Sequence, residues 1–185
     1  MRKTAAVVTT LVLGAVPLGV SAHRGVQKSG EPAIGDVVRE IEALGAMRSG
    51  LAASFTGEPD QETFARVCMP VGAKAKTVAT ENGWKIAQLA ERYRNPEHRL
   101  DYEALRVFKM MEDDVGLMGL WIRTEMDGAP GSRYFRRIDI EPACLACHGP
   151  KASRPQFVRD GYPDDRAYGF EVGDLRGLFS VFIAD

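Results

Sequence analysis

Residues 117–140 read LMGLWIRTEMDGAPGSRYFRRIDI, and the period of this stretch decides the fold. From Leu117 to Met126 apolar and polar residues alternate: Leu120, Ile122 and Met126 share one face, Arg123 and Glu125 the other. A repeat of two is that of a half-buried strand, because successive side chains leave opposite faces. Arg133 to Ile140 repeats the pattern, with Tyr134, Ile138 and Ile140 together. Between the runs lies Asp127-Gly128-Ala129-Pro130-Gly131, a cluster of turn formers. Two alternating runs around such a cluster predict an antiparallel hairpin. Leu178 to Ile183 predicts a last strand.

Upstream the period lengthens. Ile34, Val38, Ile41, Leu44, Leu51 and Phe55 recur at three- and four-residue steps and predict a helix over 33–55. Gly57 and Pro59 stop it. Asp60 is a good N-cap for a short second helix. Its Phe64, Cys68 and Val71 fall on one face, so the Cys68 thiol is expected to point into the protein. Residues 83–93 fit a strand or a helix. Arg94-Asn95-Pro96 is a break, since the residue before proline avoids the helical region. Asp101 caps a further helix with Tyr102, Leu105, Phe108 and Met110 or Met111 on its buried side. Helices first and an antiparallel sheet after them make α+β the expected class.

The 185 residues suit one domain, and 45% apolar residues suffice for a core. A formal charge of −1 gives no reason to expect nucleic acid or an anionic membrane as partner. Arg2 and Lys3, the apolar run from Ala5 to Val20 and the small residues Val20-Ser21-Ala22 read as a secretory signal peptide cut after about Ala22. The alternative, an uncleaved anchor, is disfavoured by Gly14, Pro17 and Gly19 within the run. Removing residues 1–22 deletes two cations and no acid, which takes the formal charge from −1 to −3. Residues 23–32 are polar and read as a flexible leader, leaving 33–185 as the single domain. Export implies a periplasmic protein with no stable membrane insertion once the signal is cut.

Cys144-Leu145-Ala146-Cys147-His148 is a C-x-x-C-H sequence, the attachment signature of a c-type haem. Two thiols at this spacing can add to the two vinyl groups of one haem, and the adjoining histidine reaches the iron as proximal ligand. A disulfide, a redox C-x-x-C and half a zinc site are the rivals. Zinc needs four ligands, and the other histidines, His23 and His98, are isolated. A redox C-x-x-C usually opens a helix, whereas Gly149-Pro150 stops one at once. One covalent haem c is therefore the expected cofactor. An ordinary small cytochrome c carries its motif near the start and a methionine ligand far downstream; here no methionine follows His148. A four-helix-bundle cytochrome carries its motif on the last helix, which Pro142, Pro150 and the following strand oppose. Cys68 is left over as the third cysteine, either a buried free thiol or an iron ligand.

The segment from Tyr162 to Val181, YPDDRAYGFEVGDLRGLFSV, resembles the pattern Y-P-x-D-x-A-x-G-[YF]-x-x-G-D-x-R-G-x-x-S-V that follows C-L-x-C-H-G in a family of exported monohaem c-type haem proteins with a PAS-like fold, long catalogued as a domain of unknown function. Arg94-Asn95-Pro96 and Cys68 also sit where that family has an R-N-P and a cysteine. The resemblance spans about residues 34–185, specific at the C-terminal end and looser before it. It implies a PAS-like sheet flanked by long N-terminal helices, and a cysteine, here Cys68, as sixth iron ligand opposite His148. One departure matters: the family's R-N-P-x-N-x-P is Arg94-Asn95-Pro96-Glu97-His98-Arg99-Leu100 here, which makes His98 an alternative ligand. Phe170 also stands where tyrosine is common.

Haem propionates need donors when buried, and Arg94, Arg166 and Arg176 are the candidates because guanidinium binds carboxylates through two hydrogen bonds. Gly169, Gly173 and Gly177 read as turn positions. No catalytic constellation is visible in the order or spacing of residues. The expected role is haem-based redox or gas sensing with His/Cys ligation; the alternative is a diffusible electron-transfer cytochrome c. The expected partners are a separate redox or signalling protein and, in the reduced state, a small gas.

Overall fold

The hairpin forms where the alternation places it. In a computed structural model, which describes residues 34–185, β2 (Gly119–Met126) pairs antiparallel with β3 (Ala129–Asp139). The turn is tighter than the five-residue cluster suggests. Only Asp127 and Gly128 connect the strands, with φ of 53° and 79°. Positive φ at both positions matches the twist of the flanking strands, and aspartate and glycine tolerate it best. Pro130 and Gly131 belong to β3. A Cβ at Gly131 would collide with the Ile183 carbonyl oxygen of the neighbouring strand.

Three helices precede the sheet: α1 (Ile34–Ala53), α2 (Gln61–Val67) and α3 (Met69–Asn82). Asp60 caps α2 through a reciprocal bond with Thr63. Residues 83–93 resolve as a strand, β1 (Lys85–Leu89), after Gly83 ends α3 at φ 69°. A 3-10 turn, Pro96–His98, leads to α4 (Tyr102–Asp113), capped by Asp101. After β3 come α5 (Leu145–His148), α6 (Gln156–Gly161) and β4 (Leu175–Ala184). The sheet order is β1-β4-β3-β2, all antiparallel. The fold is α+β and PAS-like, with long helices at the start.

Each sheet face has its own core. Val37, Ile41 and Leu44 of α1 and Val71, Ala75 and Val78 of α3 pack on Tyr134, Ile138, Phe179 and Val181. On the other face Ala104, Val107, Phe108 and Met111 of α4 pack on Phe135 and Leu178. Of the expected α4 stripe Phe108 and Met111 are buried, whereas Tyr102 and Leu105 are exposed. The smaller Ala104 and Val107 take the buried positions instead, while Asp101 and Glu103 turn toward Arg133 of β3. Likewise Ile34 is exposed, and Val37 takes its place on the buried side of α1.

The expected signal peptide, 1–22, and leader, 23–32, lie outside the described residues. Among the described residues no helix is long and apolar enough to cross a membrane.

A cavity lined by cysteines and arginines as candidate functional site

The C-x-x-C-H motif folds as two short helical pieces in succession. Pro142–Cys144 forms a 3-10 turn and α5 continues it. Positions three and four apart on a helix share a face. Cys147 and His148 stand at those steps from Cys144, and all three border one cavity of ≈ 780 Å³. That volume falls in the roughly 300–1,000 Å³ range of cofactor and small-molecule sites. α1, α2, α3 and β1 supply the facing walls, with Val71, Trp84, Leu89 and Ile138 among the apolar lining.

The segment after α6 grips the motif. Gly169 N donates to Gly149 O at 2.7 Å and Phe170 N donates to His148 O at 3.1 Å. The Phe170 ring stands edge-on to His148, with centroids 6.1 Å apart. His148 Nδ1 lies 2.7 Å from Ala167 O. A carbonyl oxygen only accepts, so Nδ1 carries the hydrogen and Nε2 keeps its lone pair. Burial, with Arg176 and Arg94 nearby, holds the imidazole well below its ordinary pKa. It is therefore neutral at pH 7, the form that binds a metal. Burial also pushes the Cys147 thiol up to about 11. Gly169 and Gly173 are turn positions with φ of 71° and 92°. Gly177 instead lies in β4, where a Cβ would collide with Leu89 O.

Cys68 joins this cavity from the opposite side of the sequence. It ends α2 and begins α3, and Pro70 starts the new helix. Because a second helix begins here, Cys68 leaves the buried stripe. The residue is exposed rather than packed in the core, contrary to the expected inward thiol, and the space it borders is the cavity. The cavity walls still shield it from bulk water: burial pushes its thiol pKa up, against the pull of Arg94. Cys68, Cys144 and Cys147 all border this one cavity. His98 also borders the cavity, from the turn after Asn95, and burial lowers its pKa.

Of the three arginines singled out by sequence, two line the cavity. Arg94 donates to Asp165 at 3.3 Å and to Cys147 O at 2.9 Å. Arg176 donates to Arg92 O at 3.1 Å, and burial, with Arg94 nearby, lowers its pKa to about 10. Among the described residues no carboxylate lies within ion-pair distance of Arg176. Arg166 is placed elsewhere: it is exposed, stacked on Tyr93 at 5.1 Å, and outside the cavity lining.

Sequence reading missed Arg48. It lies four residues after Leu44 and three before Leu51, a charged residue on the apolar stripe of α1. That position was the available signal. Arg48 donates to Glu141 Oε1 at 2.7 Å and approaches Cys144 Sγ at 3.7 Å. Ser49 donates to the same Glu141 oxygen at 2.6 Å. Arg48 Nε is buried without a hydrogen-bond partner, which is costly unless a further acceptor arrives.

The family model for Tll0287-like proteins matches residues 19–184. No curated protein matches the chain. Among solved structures the chain is similar to the crystal structure of the cyanobacterial heme-protein Tll0287, with 44% identity, 82% of this chain and 94% of that chain covered, and a TM-score of 0.73. Coverage of that extent takes in the helical half as well as the paired C-terminal motifs. The chain belongs to the Tll0287-like family.

Proposed function

We propose that this chain is an exported periplasmic protein that carries one covalent haem c in the cavity and serves as a haem-based redox or gas sensor. Cys144 and Cys147 are the thioether points, His148 the proximal iron ligand and Cys68 the distal one, with His98 the alternative. The observation that carries this reading is convergence: the three cysteines and His148 border one cavity together with three guanidinium groups, Arg48, Arg94 and Arg176. The likeness to a heme-protein supports the same cofactor.

The residues present fit the group. Two thiols and an imidazole share one helix face. The cavity has a largely apolar lining for a macrocycle, and of its three guanidinium groups Arg48 and Arg94 pair with Glu141 and Asp165 while Arg176 has no carboxylate partner among the described residues. The unpartnered Arg48 Nε and Arg176, with no paired carboxylate, have donors to spare for propionates. Once bound, haem would supply an iron centre whose redox state and ligation respond to electrons and small ligands.

The chain's own residues prepare that centre. Ala167 O holds the His148 Nδ1 proton, so Nε2 is the coordinating atom. Cys68 would hold the iron as a thiolate, since a coordinating thiol gives up its Sγ proton. Arg94 and Arg48 border the same cavity and would offset the resulting negative charge. Because Cys68 joins α2 to α3, its attachment or release acts on two helices at once. The output then passes to a separate protein.

Ultraviolet-visible and electron paramagnetic resonance spectra of the oxidised and reduced protein test this, with Cys68→Ser beside it. The ferric spectrum should change on substitution, and the reduced protein should lose one ligand and take up carbon monoxide. An unchanged ferric spectrum removes Cys68 from the iron. Retention of both ligands through the cycle, with fast exchange of electrons, identifies an electron carrier instead.

A further inference from the structure

The side chain of Asp165 is fully buried, and it does not line the cavity. Its Oδ2 accepts from Arg154 Nη1 at 2.9 Å. Its Oδ1 accepts from Arg94 Nε at 3.3 Å and from the backbone N of Ala167 at 3.0 Å. The last bond closes an aspartate turn, in which a side-chain oxygen binds the amide two residues on and fixes the local backbone. The carbonyl of that same Ala167 holds His148 Nδ1. Arg94, fixed by the same carboxylate, donates to Cys147 O. One buried carboxylate thus anchors both supports of the motif, one at the histidine and one at the second cysteine.

We infer that Asp165 is a positioning residue for the His148 iron ligand, acting through the Ala167 carbonyl and through Arg94. The inference rests on the haem reading above and deepens it. A hydrogen bond from the imidazole Nδ1 to a fixed acceptor sets ring orientation and raises ligand basicity, which favours the oxidised iron. Without Asp165 the Ala167 turn relaxes, the acceptor drifts, and the oxidised form loses part of its advantage. An asparagine keeps one acceptor for Ala167 N but sets an amide donor against one of the guanidinium groups, so it should retain part of the function.

The test compares Asp165→Ala and Asp165→Asn in the mature haem protein. Asp101→Ala is the control, since it breaks the Arg133 pair and the α4 cap on the other sheet face. Asp165→Ala should shift the ratio of reduced to oxidised protein at a fixed ambient potential about tenfold, equivalent to ~59 mV for one electron. Asp165→Asn should shift it less, in the same direction. Asp101→Ala should lower the unfolding midpoint and leave the ratio alone. A ratio in Asp165→Ala no different from that in Asp101→Ala overturns the inference. Should Asp165→Ala fail to accumulate, proton exchange decides, measured by nuclear magnetic resonance on the reduced, carbon monoxide-bound protein. The His148 Nδ1 proton should exchange slowly in the unsubstituted protein and about tenfold faster in Asp165→Asn; equal rates overturn the inference. An unsubstituted protein without haem overturns the underlying reading, and this inference with it.

Discussion

The two faces of the sheet handle arginine in opposite ways. On the α4 face Arg133 and Arg137 are buried and fully engaged. Arg133 pairs with Asp101 through two bonds of 3.0 and 2.6 Å and donates to Ser180 at 2.8 Å. Arg137 donates to Asp139 and to the carbonyls of Met111, Asp114 and Val115, which satisfies the open end of α4. On the α1/α3 face the half-buried Arg48 pairs with Glu141 yet keeps its Nε without a partner, and the half-buried Arg176 has one backbone carbonyl as its hydrogen-bond acceptor. A buried cation whose needs are met inside the chain is a structural member. One whose needs are unmet implies that something else meets them. The first face is a finished core and the second is built around a guest.

This contrast can be broken by substitution. The largest effect belongs to the finished core: Phe135→Ala, at a fully buried position, should cost about 3–5 kcal/mol in denaturant unfolding whether or not haem is attached. Dependence of that loss on haem would mean that the two faces are not separate. Arg137→Leu comes next. It leaves several carbonyls and Asp139 without a donor, and about 2–3 kcal/mol should be lost, again regardless of haem.

Arg176→Leu should behave differently in sign. In chain without haem it removes a half-buried cation without an ion-pair partner, and stability should stay level or rise by about 1 kcal/mol. In the haem protein it should lower stability by about 1 kcal/mol, through loss of a charge-assisted bond. Equal losses in both states would make Arg176 a structural residue like Arg137. Unfolding curves of the two forms read this directly.

The smallest effect is acid sensitivity of the α4 face. Burial works to raise the Asp101 pKa, but the bonds from Arg133 and Ala104 N outweigh it, and the folded value lies below the usual carboxylate range. A depressed value means stability that is present above the unfolded pKa and lost as pH falls through the folded one. Asp101 is half exposed, so only a few tenths of a kcal/mol should disappear below about pH 4. Asp101→Asn should flatten that part of the pH–stability curve.

Much of the molecule is legible in its sequence. The hairpin, β4, the caps at Asp60 and Asp101 and the C-x-x-C-H motif follow from period and spacing. α3 does not, because its buried face is only Val71, Ala75 and Val78, scattered among Gly, Ala, Lys and Thr that carry little periodic signal. β1 is ambiguous because five residues are too few to separate a period of two from one of 3.6. The first turn of the α4 stripe is misplaced by weighting the large Tyr102 and Leu105 over Ala104 and Val107, which are the buried residues there. The arginines are the hardest. In an alternating strand Arg133 and Arg137 read as a solvent-facing row, and only tertiary partners from α4 and its flanks bury them. Arg48 is the converse: a charge inside an apolar stripe is legible as an anomaly, and its meaning depends on a cavity that no spacing reveals.

The central claim is that a haem is bonded to this chain through Cys144 and Cys147. Intact mass of the fully denatured protein, produced in a host able to mature c-type cytochromes, tests it most directly. The account predicts a chain heavier by one haem, its pigment still attached after unfolding, and no such species in the Cys144→Ser/Cys147→Ser double variant. A bare polypeptide mass, with the colour removed by denaturant or never present, would contradict it.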